Sequence, residues 1–256
     1  MRCTALITGA SAGLGRELAR QLAAQRVDLV LVARDAARLE DIAEQLRQQY
    51  GVRVDVLAAD LTEQPGQESV AARLQRDDTP VDILINNAGF GINAGFETSG
   101  VADERRLHEL LAWVPLRLCH AVVPGMLRRG RGWILNVASV AAFTPAGTYG
   151  AAKAGLVSLS RALRARYRRR GLSVTVLCPG LLATEFHDRM GIDHLPALPP
   201  LAWAPVERVA REGLRGLRRG RRIVVSDWRY RLAAPLTRLL PDRLLERLTT
   251  TSERGA

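Results

Sequence analysis

Short apolar runs alternate with longer segments of helical spacing along most of the chain. Six runs have the composition of strands: TALIT 4–8, VDLVLVA 27–33, VRVDVLAA 52–59, VDILIN 81–86, GWILNVA 132–138 and LSVTVLC 172–178. Helical patterns lie between them at 14–25, 36–49, 67–76, 102–128 and 149–170. Continuous apolar strands that alternate with helices are typical of a parallel sheet covered on both faces. The pattern therefore predicts an α/β fold with a doubly wound parallel sheet and right-handed crossovers.

The last third of the chain adds a helix at 205–218 and a seventh strand, RRIVVS 221–226. Segment 184–204 is rich in proline and lacks a clear period, so we predict a functional insert that forms a substrate loop. Segment 228–250 is basic and amphipathic, which predicts a helical tail packed on the domain or, alternatively, a membrane or partner surface. With 256 residues in all, the chain is expected to form a single domain over 1–256.

Charge narrows the range of partners. The formal net charge is +11, but arginines are spread along the whole chain and aromatic residues make up only 5% of it. So few aromatic side chains are unsuited to stacking on single-stranded nucleic acid. We therefore expect no nucleic-acid partner, and the positive charge favours anionic cofactors or acyl carriers.

The cysteines indicate a reducing compartment. Cys3, Cys119 and Cys178 are far apart, without metal-type spacing, so we predict free thiols and no metal site. The N-terminal apolar run meets Thr8 and a glycine series too early for a signal peptide. No uninterrupted apolar run reaches the roughly 18 residues needed to cross a membrane. These features predict a cytoplasmic protein, with peripheral membrane contact left open.

The first strand leads directly into the glycine-rich stretch TGASAGLG 8–15. Gly9, Gly13 and Gly15 permit a tight turn, a close approach to a pyrophosphate and close packing of the next helix, whose N-terminus attracts phosphate. A strand, a glycine turn and a helix in this order predict a dinucleotide site of the Rossmann fold. We include Ser11 and Leu14 of the same turn among its residues.

The end of the second strand, LVARDAARLE, predicts which nucleotide is bound. Ala33 and Arg34 stand where an NAD-preferring site would have an acidic residue. Arg34 is suited to a forked contact with a 2′-phosphate, and Arg38, one helical turn further, is a second candidate. The sequence therefore predicts NADPH/NADP+ rather than NADH, with a solvated Arg34 as the alternative.

The chain contains one lysine, Lys153, four residues after Tyr149. Two residues at this spacing share a helix face. A nearby ammonium stabilises a phenolate, and its compact shape also suits the ribose hydroxyls of a cofactor. Tyr149 and Lys153 are thus the predicted proton-transfer pair, and Ser139, after the fifth strand, is predicted to orient the substrate oxygen.

Four further stretches accompany these motifs: NNAG 86–89, NVAS 136–139, YGAAK 149–153 and CPGLLATEF 178–186. With all of these motifs, the chain resembles the short-chain dehydrogenase/reductase family from residue 4 to about 226. The tail resembles a bacterial branch related to acyl-type ketoreductases. The resemblance implies hydride transfer with NAD(P) and a homodimer or homotetramer built through 102–128 and 149–170. It also implies further cofactor contacts: Asp60 and Leu61 at the adenine, Asn87, Ala88 and Gly89 in the cleft, and Pro179, Gly180 and Thr184 at the nicotinamide.

Two positions depart from the family pattern. Leu111 stands where the family has an asparagine that kinks the helix and relays protons through water, and Pro115 is expected to supply the kink. The interval from Ser139 to Tyr149 is ten residues, shorter than the family usually has.

The leading prediction is an NADPH-dependent enzyme that interconverts a carbonyl and an alcohol. The stretch LPALPPLAW 195–203 favours a mostly hydrophobic small-molecule substrate. The two departures leave open a non-redox enzyme of the same fold, such as an isomerase, dehydratase or cyclase, and a nucleotide-binding protein without turnover.

Overall fold

The computed structural model describes residues 3–182 and 203–226. Within them, seven strands form one parallel sheet in the order β3-β2-β1-β4-β5-β6-β7. The strands are β1 (Thr4–Thr8), β2 (Asp28–Ala33), β3 (Val54–Ala58), β4 (Ile83–Asn86), β5 (Gly132–Val137), β6 (Leu172–Cys178) and β7 (Ile223–Val225). The sheet predicted from the apolar runs is therefore confirmed, although several strands are shorter than the runs that predicted them.

Helices cover both faces of the sheet. They are α1 (Gly13–Ala23), α2 (Ala36–Tyr50), α3 (Gln64–Gln75), α4 (Val101–His108), α5 (Val114–Arg128), α6 (Gly147–Tyr167) and α7 (Val206–Arg218). A five-residue π-helical segment, Glu109–Trp113, joins α4 to α5 and is called the π turn below. The sequence predicted one continuous helix over 102–128, so this interruption is a correction.

The buried side chains divide between the two faces. On β1, Ala5 and Ile7 pack with α1, α2 and α7, while Leu6 packs with α3 and α5. Successive side chains of a strand point to opposite faces, and both faces are covered here. This is why the strands of this chain are continuously apolar.

The strand order places a crevice between β1 and β4. The chain winds outward from β1 to β3 and then returns to β4 on the other side of β1. At such a switch point the loops after the two strands diverge, and ligands bind at the carboxyl ends of the strands. The glycine turn after β1 and the NNAG stretch at the end of β4 both lie there.

Among the described residues, the stretch Val101–Arg128 is the one helical segment long and apolar enough to cross a membrane. However, 56% of its most apolar window is buried inside the fold. There, α5 packs against α3 and the sheet. Packing in the protein core therefore accounts for its apolar composition.

Most of the predicted insert, 184–204, and all of the predicted tail, 228–250, lie outside the described residues. The described residues on the two sides of this gap meet. Leu182 and Ala204 form an isolated parallel bridge, and the Ala204 N–H donates to the Leu181 carbonyl at 3.0 Å. The insert thus leaves and rejoins the fold at one point beyond the carboxyl end of β6.

Candidate active site

The glycine turn has the close packing that its sequence predicts. Gly9 and Gly13 have positive φ angles of 67° and 49°, a region that favours glycine. A Cβ on Gly15 would lie 2.1 Å from the Gly9 carbonyl oxygen, and one on Gly9 would lie 2.9 Å from the Ala88 Cα. The turn therefore packs directly against the loop after β4.

Thr8 and Asn87 hold these two loops together. The buried Thr8 hydroxyl accepts hydrogen bonds from the backbone N–H groups of Asn87 and Ala88 at 2.9 and 3.0 Å. The Asn87 side chain donates in return to the carbonyl oxygens of Thr8 and Gly9 at 2.9 and 3.2 Å. Thr8 was not among the predicted site residues, although its position at the start of TGASAGLG is a signal that could have found it.

The N-terminus of α1 fits a pyrophosphate. Its N-cap residue, Ala12, makes no side-chain capping bond, and its first turn has no acidic residue. By contrast, Asp35 caps α2 by accepting the Arg38 N–H at 2.9 Å. Helix N–H groups without a side-chain acceptor attract anions. Ser11 lies buried in this turn, whereas the Leu14 side chain packs in the core and leaves its main chain to face the site.

Arg34 directly follows β2, at the carboxyl end of the sheet. Its guanidinium is 67% exposed and lies 3.8 Å from the Asp60 carboxylate. Burial acts to raise the pKa of Asp60, but hydrogen bonds from Thr62 and the charges of Arg34 and Arg106 outweigh it, so the pKa lies below its usual value. The position of Arg106, on α4, was not predicted from the sequence.

Gln67 of α3 connects the loop after β3 to the π turn through hydrogen bonds. Its buried amide donates to the Leu61 carbonyl at 3.1 Å and to the Glu109 carboxylate at 2.9 Å. Arg117 donates to the oxygen of the same amide at 3.1 Å. The buried Leu61 is thus fixed through a side chain that no motif in the sequence marks.

Lys153 lies almost completely buried on α6, with 4% of its surface exposed. Its ammonium donates to the Val137 carbonyl at the end of β5 at 3.0 Å and lies 5.6 Å from the centre of the Tyr149 ring. Burial lowers the pKa of Lys153 to about 8, because water no longer solvates the charged form, and the nearby Cys178 opposes this effect.

Tyr149 faces Ser139. Burial raises the pKa of Tyr149 to about 12, and the hydrogen-bonding contact with the Ser139 hydroxyl acts in the opposite direction. Ser139 lies two residues beyond β5 and also caps a 3₁₀ turn, Val140–Phe143, by accepting the Ala141 N–H at 3.1 Å. The predicted stabilisation of the Tyr149 phenolate by the Lys153 ammonium stays a prediction, and Ser139 is a further group that acts on the same phenol.

The structure describes three of the four remaining predicted site residues, Gly89, Pro179 and Gly180. Pro179 lies beside the loop that follows Ser139, because its carbonyl accepts the Val140 N–H at 2.9 Å. Gly180 is the next residue of that segment, and Thr184 lies outside the described residues. A Cβ on Gly89 would lie 3.0 Å from the Leu111 side chain and 3.8 Å from the Lys153 ammonium.

The helix is irregular where Leu111 replaces the asparagine of the family pattern. The Val114 N–H donates to the Glu109 carbonyl, five residues back, and Pro115 has no N–H to donate to the Leu111 carbonyl. The sequence predicted a kink supplied by Pro115, and the structure has the π turn there. Leu111 packs with Leu107, Ala152 and the Tyr149 ring in an apolar cluster.

No group of three or more metal-ligating side chains occurs in the part of the chain that the structure describes. Cys3, Cys119 and Cys178 are free thiols, and the last two are buried.

A parallel sheet with a glycine-rich turn at its switch point defines a dinucleotide-binding α/β protein. Within this class, the short chain dehydrogenase family matches residues 3–193. The chain therefore belongs to the short-chain dehydrogenase/reductase family, and it is an NAD(P)-dependent oxidoreductase of the kind that interconverts carbonyl and alcohol groups.

Two solved structures resemble this one. A short-chain dehydrogenase from Sphingobium yanoikuyae in complex with NADPH has a TM-score of 0.83 and 37% identity over 87% of each chain. The bulky-bulky ketone specific alcohol dehydrogenase from Comamonas testosteroni has a TM-score of 0.79 and 34% identity over 88% of this chain and 86% of that one. Ketoacyl reductase HetN from Nostoc sp. is 31% identical over 204 residues, which cover 78% of this chain and 69% of that protein.

Proposed function

We propose that the protein is an NADPH-dependent reductase of hydrophobic ketones. The observation that carries this proposal is the convergence of Ser139, Tyr149 and Lys153 beside Gly89, at the carboxyl end of the sheet next to the glycine turn. Hydroxyl, phenol and ammonium groups at one place are suited to bind a substrate oxygen and to supply its proton.

NADPH, when bound, supplies the hydride. Two parts of the chain are suited to hold the phosphate groups of the nucleotide. The N-terminus of α1 and the glycine turn are suited to the pyrophosphate. Arg34 is suited to the 2′-phosphate, because its guanidinium is exposed and no acidic residue ends β2. The similar Sphingobium enzyme, solved with NADPH, supports this choice over NADH. We propose the same role for the other predicted contacts, which are Asp60, Leu61, Asn87, Ala88, Gly89, Pro179 and Gly180.

In the proposed mechanism, Ser139 and Tyr149 both bind the substrate oxygen. Ser139 orients it, and Tyr149 gives it a proton as the carbonyl becomes an alcohol. The Lys153 ammonium is suited to the ribose hydroxyls, because its one hydrogen bond within the described residues leaves two N–H groups available. A phenol whose pKa lies near 12 stays protonated at neutral pH, so Tyr149 has a proton to give to a carbonyl oxygen.

The apolar surroundings of Tyr149 support a hydrophobic substrate. Phe90 and Ile92, from the loop after β4, pack with the cluster that contains the Tyr149 ring. Further along the same segment, Phe96 and Val101 are 77% and 86% exposed. The apolar stretch 195–203, also predicted to contact substrate, lies outside the described residues apart from Trp203. The ketone specificity stated for the similar Comamonas enzyme agrees with this class of substrate.

We also propose a single nucleotide-binding domain that forms a homodimer or homotetramer. All the described strands belong to one sheet. Trp113, the last residue of the π turn, and Leu116 of α5 leave apolar surface exposed on one of the two helical segments predicted to form the interface. The free cysteines support a cytoplasmic protein, and the predicted membrane contact of the tail falls outside the described residues.

The first test is a titration with NADPH and with NADH, followed by nucleotide fluorescence. We expect NADPH to bind more tightly, and Arg34→Ala to weaken NADPH binding about tenfold or more, because a charge-assisted hydrogen bond contributes about 1.5–3 kcal/mol. Arg128→Ala is the matched control, because Arg128 pairs with Asp77 on another surface. Equal affinity of wild type and Arg34→Ala for NADPH would contradict the assignment of Arg34.

The second test is the consumption of NADPH with a bulky hydrophobic ketone. Tyr149→Phe should lower turnover by a factor on the order of 10² to 10⁴ while NADPH still binds. The replacement of the family's asparagine by Leu111 is the observation behind the alternative of a non-redox enzyme. Product formed without matching loss of NADPH absorbance would favour that alternative, and binding without any turnover would favour a nucleotide-binding protein.

A further inference from the structure

The π turn directs two adjacent leucines into different parts of the core. Leu110 packs with the sheet-side cluster that contains Val114 and Leu118. Leu111 packs instead in the cluster around Tyr149. In the π turn the backbone bonds span five residues, and Pro115 removes the donor that a regular α-helix would need at this place.

Leu111 and Lys153 both come close to Gly89. A Cβ built on Gly89 would lie 3.0 Å from a Leu111 methyl group and 3.8 Å from the Lys153 ammonium. Leu111 is 1% exposed and Lys153 is 4% exposed, so both side chains are shielded from solvent. Neither the glycine turn nor the Tyr149–Lys153 motif includes Leu111.

We propose that Leu111 is a positioning residue that covers the Lys153 ammonium on the side of Gly89 and keeps bulk water away from it. The inference rests on the proposed function only in giving Lys153 a part in proton transfer. The cover itself is a property of the folded chain and is measurable without turnover.

The groups around the ammonium explain why a cover matters. The Val137 carbonyl on β5 is its one hydrogen-bond acceptor within the described residues. The titratable groups that face it are the Tyr149 phenol on α6 and the Cys178 thiol on β6. The Glu109 carboxylate of the π turn is bound to Gln67 on α3. Because none of the described carboxylates offsets the burial of the charge, access of water controls how strongly Lys153 holds its proton.

The effect of Leu111 on the pKa of Lys153 has a predictable direction. Burial lowers the pKa of Lys153 from 10.5 to about 8. A smaller or polar residue at 111 would admit water, stabilise the charged form and raise the pKa toward its ordinary value. A leucine at this position thus makes the amine titrate closer to neutral pH than an asparagine would.

The single lysine of the chain makes a direct test possible. In protein labelled with ¹³C-lysine, the Cε chemical shift of this one residue, followed by NMR over a series of pH values, gives the midpoint at which the buried amine loses its proton. We expect a midpoint near 8 in the wild type. Leu111→Ala and Leu111→Asn should raise it by about one unit or more, as partial loss of burial does for a buried lysine. The shift is a readout that a merely structural role would not move.

Two control variants show whether a shift of the midpoint depends on an apolar side chain at position 111. Leu110→Ala removes the same volume from the adjacent residue, which faces the other cluster, and should leave the midpoint unchanged. Leu111→Met keeps an apolar cover and should also keep the midpoint, and it serves if the smaller variants do not fold. An unmoved midpoint in a folded Leu111→Ala or Leu111→Asn variant, an equal shift in Leu110→Ala, or a raised midpoint in Leu111→Met would overturn the proposal.

The test separates this inference from the proposed function. A midpoint that moves with Leu111 in a protein that reduces no ketone would support the cover and contradict the function. Turnover of ketones with a midpoint that ignores Leu111 would do the reverse.

Discussion

Lys153 is a buried charged residue, and its burial makes the stability of the folded protein depend on pH. An unfolded lysine holds its proton up to about pH 10.5, whereas the folded protein releases it near 8. The folded state is therefore penalised while the amine is charged, and its stability rises as the pH increases from 8 toward 10.5. At about 1.4 kcal/mol per pKa unit, the penalty at neutral pH is about 3 kcal/mol.

Lys153→Met should accordingly make the apoprotein more stable at pH 7 and inactive, because it removes a buried charge together with the proposed ribose contact. Thermal unfolding at pH 7 and pH 10 measures the effect, which should shrink at the higher pH. Lys153→Arg is the matched control: its guanidinium stays charged, so it should lower stability at both pH values. A Lys153→Met protein less stable than the wild type at pH 7 would show that the ammonium is well solvated in the fold.

Thr8 is the second residue whose role is local and testable. Thr8→Val keeps the shape but leaves the N–H groups of Asn87 and Ala88 without their acceptor. Each buried donor left unpaired costs about 1–3 kcal/mol, so the loss of two partners should lower the free energy of unfolding by about 2–6 kcal/mol, and NADPH should bind more weakly. Denaturant unfolding and fluorescence titration measure the two effects. Thr8→Ser keeps the hydroxyl and should stay close to the wild type; a stable Thr8→Val protein beside a destabilised Thr8→Ser protein would show that the methyl group, not the hydroxyl, matters.

A buried polar ladder joins three elements below the site. The Asn86 amide of β4 donates to the Asn136 oxygen of β5 at 2.8 Å, and the Asn136 amide donates to the Ser160 hydroxyl of α6 at 2.9 Å. The Ser160 hydroxyl completes the ladder by donating to the Leu156 carbonyl at 2.7 Å. Because α6 also carries Tyr149 and Lys153, the ladder fixes the position of the proposed catalytic helix on the sheet.

Ser160→Ala should weaken this attachment, because it leaves the Asn136 amide without an acceptor in a place that water does not reach. We expect a loss of about 1–3 kcal/mol of stability and a lower kcat with little change in the affinity for NADPH. The measurements are denaturant unfolding and steady-state kinetics. Ser158→Ala, on the exposed side of the same helix, is the matched control. If both alanine variants behaved alike, the ladder would have no special part in positioning α6.

At the scale of the whole molecule, α5 has two opposite sides. One side packs in the core with Leu118 and Val122, while Trp113 and Leu116 are 48% and 40% exposed on the other. Large apolar side chains exposed together often mark contact with another chain. We propose that this side, including Trp113, contributes to the interface of the homo-oligomer.

Trp113→Glu should therefore shift the protein toward a smaller assembly, because a charge at the centre of an apolar interface is costly to bury. Analytical ultracentrifugation of the wild type and the variant measures the change. Phe96→Glu, which replaces an apolar side chain exposed on the loop before α4, is the control and should leave the assembly unchanged. Identical sedimentation of the wild type and Trp113→Glu would exclude this side of α5 from the interface.

The sequence alone determined the sheet and the general location of the site. Continuous apolar strands and helical segments in alternation specify a parallel α/β sheet, since each element must bury its apolar side against the next. The glycine turn and the four-residue spacing of Tyr149 and Lys153 are local patterns, so the sequence shows them without knowledge of the fold. The same holds for Arg34, whose place follows from where β2 ends.

Only the tertiary structure decided which distant residues complete the site. Arg106 acts on Asp60, Gln67 links Leu61 to Glu109, and Ser139 opposes the effect of burial on the pKa of Tyr149. The π turn and the approach of Leu111 and Lys153 to Gly89 were likewise invisible in the sequence. Local patterns specify how a segment folds, whereas burial and charge at a point depend on every segment that packs there, and that arrangement exists only in the folded chain.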